Sequence, residues 1–208
     1  MNLLAIDTST ERASIALHAP DILLIRSEDN IKQQAEWVLP TIADLLKEAK
    51  LKVNQLDGLV LGQGPGRFTG LRVAACVVKG LAYALNLKVF KVSSLLSIAL
   101  AVNAKGNNVL AVIDARMQAW YWLFANQEEQ LSSPEEITLE PQKGEIILAG
   151  VGFKELYKTL NPEVLKLIGA TKEVFPSVEV MLNLVLQGKI SPVSAKDVRP
   201  NYLRQKVT

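Results

Sequence analysis

The chain has 208 residues, of which 49% are hydrophobic, and its formal net charge is +2. It contains one histidine, His18, and one cysteine, Cys76. These counts exclude an intrachain disulfide and a zinc site built from Cys and His. A catalytic triad or a Cys-His mechanism would have to use His18. The near-balanced charge does not indicate strong unaided nucleic-acid binding, and without a secretory pattern or a long apolar run we expect a cytoplasmic protein with no membrane partner.

Hydrophobic patterning predicts an α/β organisation in the first half of the chain. Three short apolar runs with tight connections are typical of an antiparallel meander. A long stretch of apolar residues at helical spacing follows, with Pro40 inside it, and further strands and helices alternate after it. The predicted strands are 2–6, 13–17, 22–25, 56–61 and 88–92, and the predicted helices are 31–49, 71–85 and 93–102.

The same pattern restarts after a polar linker at 103–108. Each half opens with a strand that ends in an aspartate, Asp7 in the first and Asp114 in the second, which is a weak internal repeat. A solvated excursion is predicted for the glutamate-rich residues 126–145. The remaining predicted strands are 109–114, 119–125 and 146–149, and the predicted helices are one from Phe153 and one over 178–186.

A meander followed by helix, strand, helix and strand is the arrangement of the actin-like ATPase superfamily. We therefore predict an α/β fold of the two-lobed actin-like (ASKHA, ribonuclease H-like) type, with mixed sheets flanked by helices. The predicted lobes are 1–105, which carries the glycine loop, and 106–208, whose tail 196–208 is expected to pack back on the first lobe.

The glycine-rich loop from Gly62 to Gly70 is the most informative segment. A strand, a glycine-rich turn and a helix together aim backbone N–H groups at a phosphate, but the loop lacks the Gly-Lys-Ser/Thr of a Walker A motif. The alternative is a tight turn that lets two backbones pack closely. In either interpretation we expect Phe68 to be a hydrophobic anchor and Thr69 to be the N-cap of the following helix.

The segment Asp7-Thr8-Ser9-Thr10 is the second candidate. An acid at a strand end followed by hydroxyls can hold Mg²⁺ through water and phosphate through the turn; the alternative is an Asx-type turn. Asp114 is its counterpart in the second half, or else the acid of an internal pair with Arg116. The candidate nucleotide- or phosphate-binding residues are Asp7, Thr8, Ser9, Gly64, Gly66, Thr69 and Asp114.

Several other residues receive structural interpretations. His18 is expected to be exposed or structurally satisfied, and Cys76 a small core residue. The aromatic cluster from Trp120 to Phe124 suits a strand in the core better than a base-stacking surface. The sequence predicts neither a catalytic residue nor a metal ligand.

Four motifs resemble those of the bacterial TsaB family, also called YeaZ. Residues 64–72, Gly-Pro-Gly-Arg-Phe-Thr-Gly-Leu-Arg, resemble that family's Gly-Pro-Gly-Ser-Phe-Thr-Gly-Leu-Arg signature. Residues 4–10, 113–116 and 200–204 are similar to its opening strand, its second-lobe opening and its C-terminal Pro-x-Tyr-Leu-Arg. The motifs occur in the family's order and span nearly the whole chain.

The chain departs from the family pattern at three places. Arg67 replaces the usual serine of the signature. Members often have His-Ser-Glu at the start of the first long helix, where this chain has Gln34-Ala35-Glu36. The second-lobe motif often continues with Gly-Glu-Val-Tyr, where this chain has Met117-Gln118-Ala119-Trp120-Tyr121.

The resemblance implies a non-catalytic scaffold role in making threonylcarbamoyladenosine next to the anticodon of tRNAs that read codons starting with A. The implied partners are the catalytic paralogue TsaD and the ATPase TsaE, with tRNA reached only through the complex and a homodimer expected in isolation. No tightly bound cofactor is expected, although ATP or ADP with Mg²⁺ is a candidate at a shared complex interface. The alternative is an autonomous actin-like ATP-binding phosphotransferase or ATPase.

The resemblance also places the dimer surface on the first helices, and a helix that is apolar on most faces calls for a partner. The predicted interface residues are Ile31, Ala35, Val38, Leu39, Ile42, Leu71, Ala74, Ala75, Val78, Leu81 and Ala82. On this view Ala74→Glu or Val78→Glu leaves a soluble monomer that no longer co-elutes with the paralogue.

Overall fold

The computed structural model describes residues 1–29, 34–102, 108–125, 127–139 and 144–203. Ile31, the linker except Asn108, and the tail from Arg204 lie outside the described residues. The chain divides into two compact units, which we describe separately. Unit 1 comprises Met1–Ser94 and Ser177–Asn201, and unit 2 comprises Leu95–Pro176 together with the segment that begins at Tyr202.

Strands and helices alternate through both units. In chain order they are β1 (Leu3–Asp7), β2 (Arg12–Ala19), β3 (Ile22–Asp29), α1 (Gln34–Glu48), β4 (Gly58–Gly62), α2 (Phe68–Leu85), β5 (Lys88–Val92), α3 (Ser94–Val102), β6 (Asn108–Asp114), β7 (Trp120–Phe124), β8 (Gln130–Ser132), β9 (Ile146–Val151), α4 (Phe153–Thr159), α5 (Pro162–Leu165), β10 (Ile168–Glu173), α6 (Val178–Leu186) and β11 (Pro192–Val193).

The sheet of unit 1 has the strand order β11-β5-β4-β1-β2-β3. The meander β1-β2-β3 is antiparallel, β4 and β5 run parallel to β1, and β11 closes the edge antiparallel to β5. Strand side chains alternate between the two faces. Leu4 and Ile6 pack into the core shared with α1 and α2, and α6 packs against β1, β2 and β4.

Helix α2 presents one buried face and one open face. Its buried residues recur at three- and four-residue spacing, which is the pattern of a helix packed on a sheet: Gly70, Leu71, Ala74, Ala75, Val78 and Ala82. By length and composition alone α2 could cross a membrane. Its buried face instead belongs to the core of unit 1.

The sheet of unit 2 has the order β10-β9-β6-β7-β8. Its central strand β6 is antiparallel to β7 and parallel to β9, as β1 is to β2 and β4. The weak internal repeat is therefore confirmed as a repeat of topology, and the predicted actin-like strand arrangement is found in each unit. The aromatic side chains of β7 are all buried, which confirms their core role.

The boundary between the two units does not lie at residue 105, where the sequence predicted it. It falls before α3, because Leu95 and Ile98 pack with Val109 and Ala111 in a core of unit 2. The chain then returns to unit 1 with α6, β11 and residues up to 201. Within this segment Val198 lies in the core of unit 1 at 3% exposure.

The excursion predicted for residues 126–145 is only partly solvated. It contains β8 and a short 3-10 turn at Pro134–Glu136, and Ile137 is completely buried in the core of unit 2. Ile137 and Leu139 are two isolated apolar residues among glutamates, which is too short a pattern to predict the burial of Ile137. The edge strand β10 was missed because five of its six residues are exposed.

Candidate functional site

The end of β1 forms a closed polar turn. Asp7, Thr8, Ser9 and Thr10 are each at most 1% exposed. Oδ1 of Asp7 accepts hydrogen bonds from the Ser9 backbone N–H (3.0 Å) and from the Ser9 hydroxyl (2.7 Å). Oδ2 accepts from the hydroxyl of Ser94, at the start of α3, at 2.8 Å. Both carboxylate oxygens are therefore bonded within unit 1.

The glycine loop packs directly on this turn. The Arg67 N–H donates to the Ser9 carbonyl at 2.7 Å, and the Thr8 hydroxyl donates to the Gly70 carbonyl at 2.7 Å. A methyl group on Gly62 would lie 2.7 Å from Cγ of Asp7, and one on Gly66 would lie 2.8 Å from the carbonyl carbon of Ser9. Both distances are shorter than carbon atoms tolerate, so Gly62 makes room for the Asp7 side chain and Gly66 for the backbone of Ser9.

This geometry supports the two structural alternatives offered by the sequence. The Ser9 N–H bonded to Asp7 is an Asx-type turn, and the loop is a close contact between two backbones. A phosphate or Mg²⁺ placed between Asp7 and the loop would need the volume that the backbone already fills. The arrangement of Asp7, Gly62 and Gly66 thus does not fit a nucleotide held between them, and no chemical step is assigned to it.

Burial raises the pKa of Asp7 above its ordinary value. Removal from water disfavours the charged carboxylate. The hydrogen bonds from Ser9 and Ser94 favour the charged form but are the smaller effect. Native Asp7 consequently keeps its proton to a higher pH than the same residue in the unfolded chain.

We expect the Asp7→Asn variant to lack one component of the pH dependence of stability. Between the ordinary pKa of an aspartate, about 4, and the raised native pKa, the native state binds more protons than the unfolded state. The free energy of unfolding of the wild type should therefore fall as pH rises through this window, by at most about 1.4 kcal/mol per unit. Urea denaturation of both proteins across pH 4 to 8 measures the difference.

The comparison of the two proteins isolates Asp7 from other carboxylates. Asp29, bonded to Arg12, and Glu136, bonded to Ser133, have lowered pKa values and contribute stability that is lost as pH falls. They are present in both proteins and cancel. A pH-independent difference between variant and wild type would contradict the raised pKa.

Asp114, the counterpart of Asp7, lies in unit 2 at the edge of a cavity of about 500 Å³. Its Oδ1 accepts from the Arg116 N–H at 2.7 Å, and its Oδ2 lies 3.1 Å from the Arg116 guanidinium. The internal Asp–Arg pair is thereby confirmed. The turn that follows holds Arg116, Met117 and Gln118 successively in the left-handed region, which sequence patterning did not predict for three non-glycine residues.

Most residues predicted for the partner interface are not on the surface of unit 1. Seven of them are 0–7% exposed, and all of these except Leu71 belong to the core cluster of unit 1: Val38, Ile42, Leu71, Ala74, Ala75, Val78 and Ala82. Leu81 is half-buried, whereas Ala35 and Leu39 are exposed. The periodicity of an apolar helix shows which residues share a face, but it does not show whether that face meets the sheet or a partner.

The opposite face of α2 carries a stripe of small residues. At 100° per residue, Cys76, Gly80 and Ala84 point away from the buried face, and all three are exposed. Apart from the adjacent backbone of α2 itself, no atom of the described residues lies within 4 Å of a methyl group placed on Gly80. The prediction that Cys76 is a core residue is wrong, because the core contacts fall on Ala74, Ala75 and Val78 instead.

The start of α2 also differs from the expectation. Arg67 is the N-cap residue, so Thr69 lies within the first turn and is exposed. Phe68 is 45% exposed, and the Cζ atom of Arg72 lies over its ring, 3.8 Å from the ring centroid. Phe68 is therefore not a hydrophobic anchor. His18 is half-buried, and its Nδ1 donates a 3.0 Å hydrogen bond to the Met1 carbonyl.

Comparison with known proteins decides the family. The model of the family TsaD, tRNA N6-adenosine threonylcarbamoyltransferase, matches residues 25–195. The tRNA threonylcarbamoyladenosine biosynthesis protein TsaB of Haemophilus influenzae is 31% identical, with 100% of this chain and 95% of the relative aligned. The chain belongs to the TsaB (YeaZ) family. The TsaB of Escherichia coli is 29% identical, with 100% and 96% aligned.

A solved structure from the TsaB (YeaZ) family agrees with the fold. YeaZ from Pseudomonas aeruginosa superimposes with a TM-score of 0.84 at 32% identity, covering 97% of this chain and 99% of that structure. The α/β actin-like fold is therefore shown.

The site contains residues that sequence patterning missed. Ser94 donates a hydrogen bond to Asp7, 87 positions away in the sequence, and no local signal links the two.

In the parts of this TsaB-family chain that the structure describes, no group of three or more His, Cys, Asp or Glu residues is placed to hold a metal ion.

Proposed function

We propose that the chain is a non-catalytic scaffold subunit of the complex that forms threonylcarbamoyladenosine in tRNA. Membership of the TsaB family supports the role in threonylcarbamoyladenosine biosynthesis. The observation that carries the non-catalytic assignment is the closed environment of Asp7, whose two oxygens are bonded by Ser9 and Ser94. A carboxylate that is fully buried and fully bonded is not available to a substrate.

The contribution of such a subunit is a surface, and we infer that it lies on the outer faces of α1 and α2. These two helices contact each other. Helix α1 exposes Ala35 and Leu39, the latter to 56%, and α2 exposes the stripe of Cys76, Gly80 and Ala84. Small residues let the backbone of a partner helix approach closely, while Leu39 supplies apolar area.

The partner that we propose for this surface is a TsaD-like catalytic paralogue, with a TsaE-like ATPase recruited to the pair. In isolation a second copy of the chain would take the paralogue's place. ATP or ADP with Mg²⁺ would bind in the assembled complex, since the turn at Asp7 does not fit a nucleotide.

Gly80→Arg should abolish co-elution with the paralogue and reduce formation of threonylcarbamoyladenosine by the reconstituted complex at least ten-fold. A long cation on the stripe blocks helix contact, yet it meets open space in the free chain and improves helix propensity. Size-exclusion chromatography with light scattering, followed by nucleoside analysis of the tRNA, measures both effects. The isolated variant should also become monomeric.

The matched control is Asn183→Arg, an exposed position on α6, which should leave co-elution and modification unchanged. Unimpaired co-elution of the Gly80→Arg chain would contradict the interface. Turnover of Mg-ATP or threonylcarbamoyl transfer by the isolated wild-type chain would contradict the scaffold role and favour an actin-like enzyme.

A further inference from the structure

The acidic residues are unevenly distributed along the chain. No Asp or Glu occurs between Asp57 and Asp114, whereas that interval contains six Lys and Arg. A second acid-free segment, 180–196, contains Lys189 and Lys196. The overall charge of +2 conceals both segments.

The fold of unit 1 brings the two acid-free segments together. Strand β11 pairs with β5, with Pro192 opposite Phe90 and Val193 opposite Val89. The 3-10 turn at Ala195–Asp197 then packs against α2. Residues about a hundred positions apart thereby form one edge of the sheet.

A cavity of about 760 Å³ lies at this edge, and among the residues that the structure describes no Asp or Glu lines it. The residues that line it include Lys88, Lys196, Asn86 and Tyr83, of which Tyr83 is 77% exposed. Pro192 and Val193 are also part of the lining. Neither lysine makes an ion pair with any residue that the structure describes.

The local charge balance favours an anion. Two ammonium groups outweigh the partial negative charge of about half a unit at the C-terminus of α2. The carboxylate of Asp197, next to Lys196, counts against this balance; it accepts a 2.6 Å hydrogen bond from the Ser194 hydroxyl and is not among the described residues that line the cavity. The two ammonium groups still exceed this carboxylate and the helix terminus taken together. The cavity edge is consequently positive.

We propose that this cavity is a direct RNA-contact site of the chain. Lys88 and Lys196 bind consecutive phosphates as point charges, and Tyr83 stacks on an unpaired base. That the RNA is tRNA rests on the proposed function. The chain then contributes to substrate binding itself, rather than only through its catalytic partner.

The exposed tyrosine favours RNA over an acidic protein surface. Carboxylates would be satisfied by the lysines alone, whereas a base offers a flat apolar face to an aromatic ring. The volume also lies within the range of pockets that enclose small organic groups, as an unstacked nucleotide requires.

The test measures binding of a labelled, unmodified tRNA transcript by fluorescence anisotropy between 50 and 200 mM salt. The purified full chain and its complex with the paralogue are both titrated. The double variant K88E/K196E should weaken binding about ten-fold or more and reduce the slope of log Kd against log salt by about 1.5. Tyr83→Ala should weaken binding about five-fold or more with the slope unchanged.

The control double variant K154E/K172E reverses the same number of charges at exposed positions of unit 2 and should bind tRNA nearly as the wild type does. Equal weakening by the two double variants, or wild-type affinity of K88E/K196E and Tyr83→Ala, would overturn the proposal. Loss of the paralogue from K88E/K196E with unchanged tRNA affinity would assign the cavity to a protein instead. Failure of the wild type to co-elute with the paralogue would count against the proposed function alone.

Discussion

Replacing Gly66 with alanine should lower the free energy of unfolding by about 3 kcal/mol. The new methyl group would overlap the Ser9 carbonyl oxygen and lie 2.8 Å from its carbon. Because Ser9 is bonded to Asp7 and its carbonyl accepts from Arg67, the turn cannot move without breaking those bonds. The whole closed turn would be strained by one added carbon.

Gly80→Ala provides the matched control, since the same substitution in α2 meets open space. It should leave stability unchanged or raise it by up to about 1 kcal/mol through helix propensity. Urea denaturation followed by circular dichroism gives both values under one condition. Equal stability of the two variants would show that the loop can relax away from Ser9, contrary to the packing described above.

Val78→Glu should unfold much of the protein at neutral pH. Val78 is completely buried in the core of unit 1, and an unpaired carboxylate there costs about 4 kcal/mol or more, a large share of the 5–15 kcal/mol typical of a domain. Helical periodicity and family resemblance alone place this residue in the partner interface and predict a soluble monomer. The structure reverses that expectation.

Cys76→Glu separates the two interpretations of α2. It places the same charge two residues away on the exposed face, so the chain should stay folded and lose only its partner. Thermal melting of the two variants decides between them. A folded Val78→Glu chain with a melting temperature near that of the wild type would show that Val78 is not in the core.

The sequence predicted elements whose signals are local. The strand over 88–92 and the helix over 178–186 have the predicted bounds, because apolar runs and turn residues define them without help from the rest of the chain. The set of candidate phosphate-binding residues likewise included Ser9 and Gly66, which the structure brings into contact.

The role of that region depended on contacts that no local pattern contains. Ser94 and Gly62 enclose Asp7 from distant positions, which turns a candidate phosphate site into a closed structural turn. The same limit applies to α2, where the pattern gave two faces but not which one the sheet covers. Both errors concern which surface is used, which is a property of tertiary packing.

The return of the chain to unit 1 has a consequence for folding during translation. Met181 and Leu182 of α6 are at most 1% exposed, and β11 completes the sheet edge beside β5. A nascent chain ending near residue 105 therefore exposes one face of its first sheet. Unit 1 can close only after residues up to 201 have left the ribosome, whereas most of unit 2 is already available to fold before then.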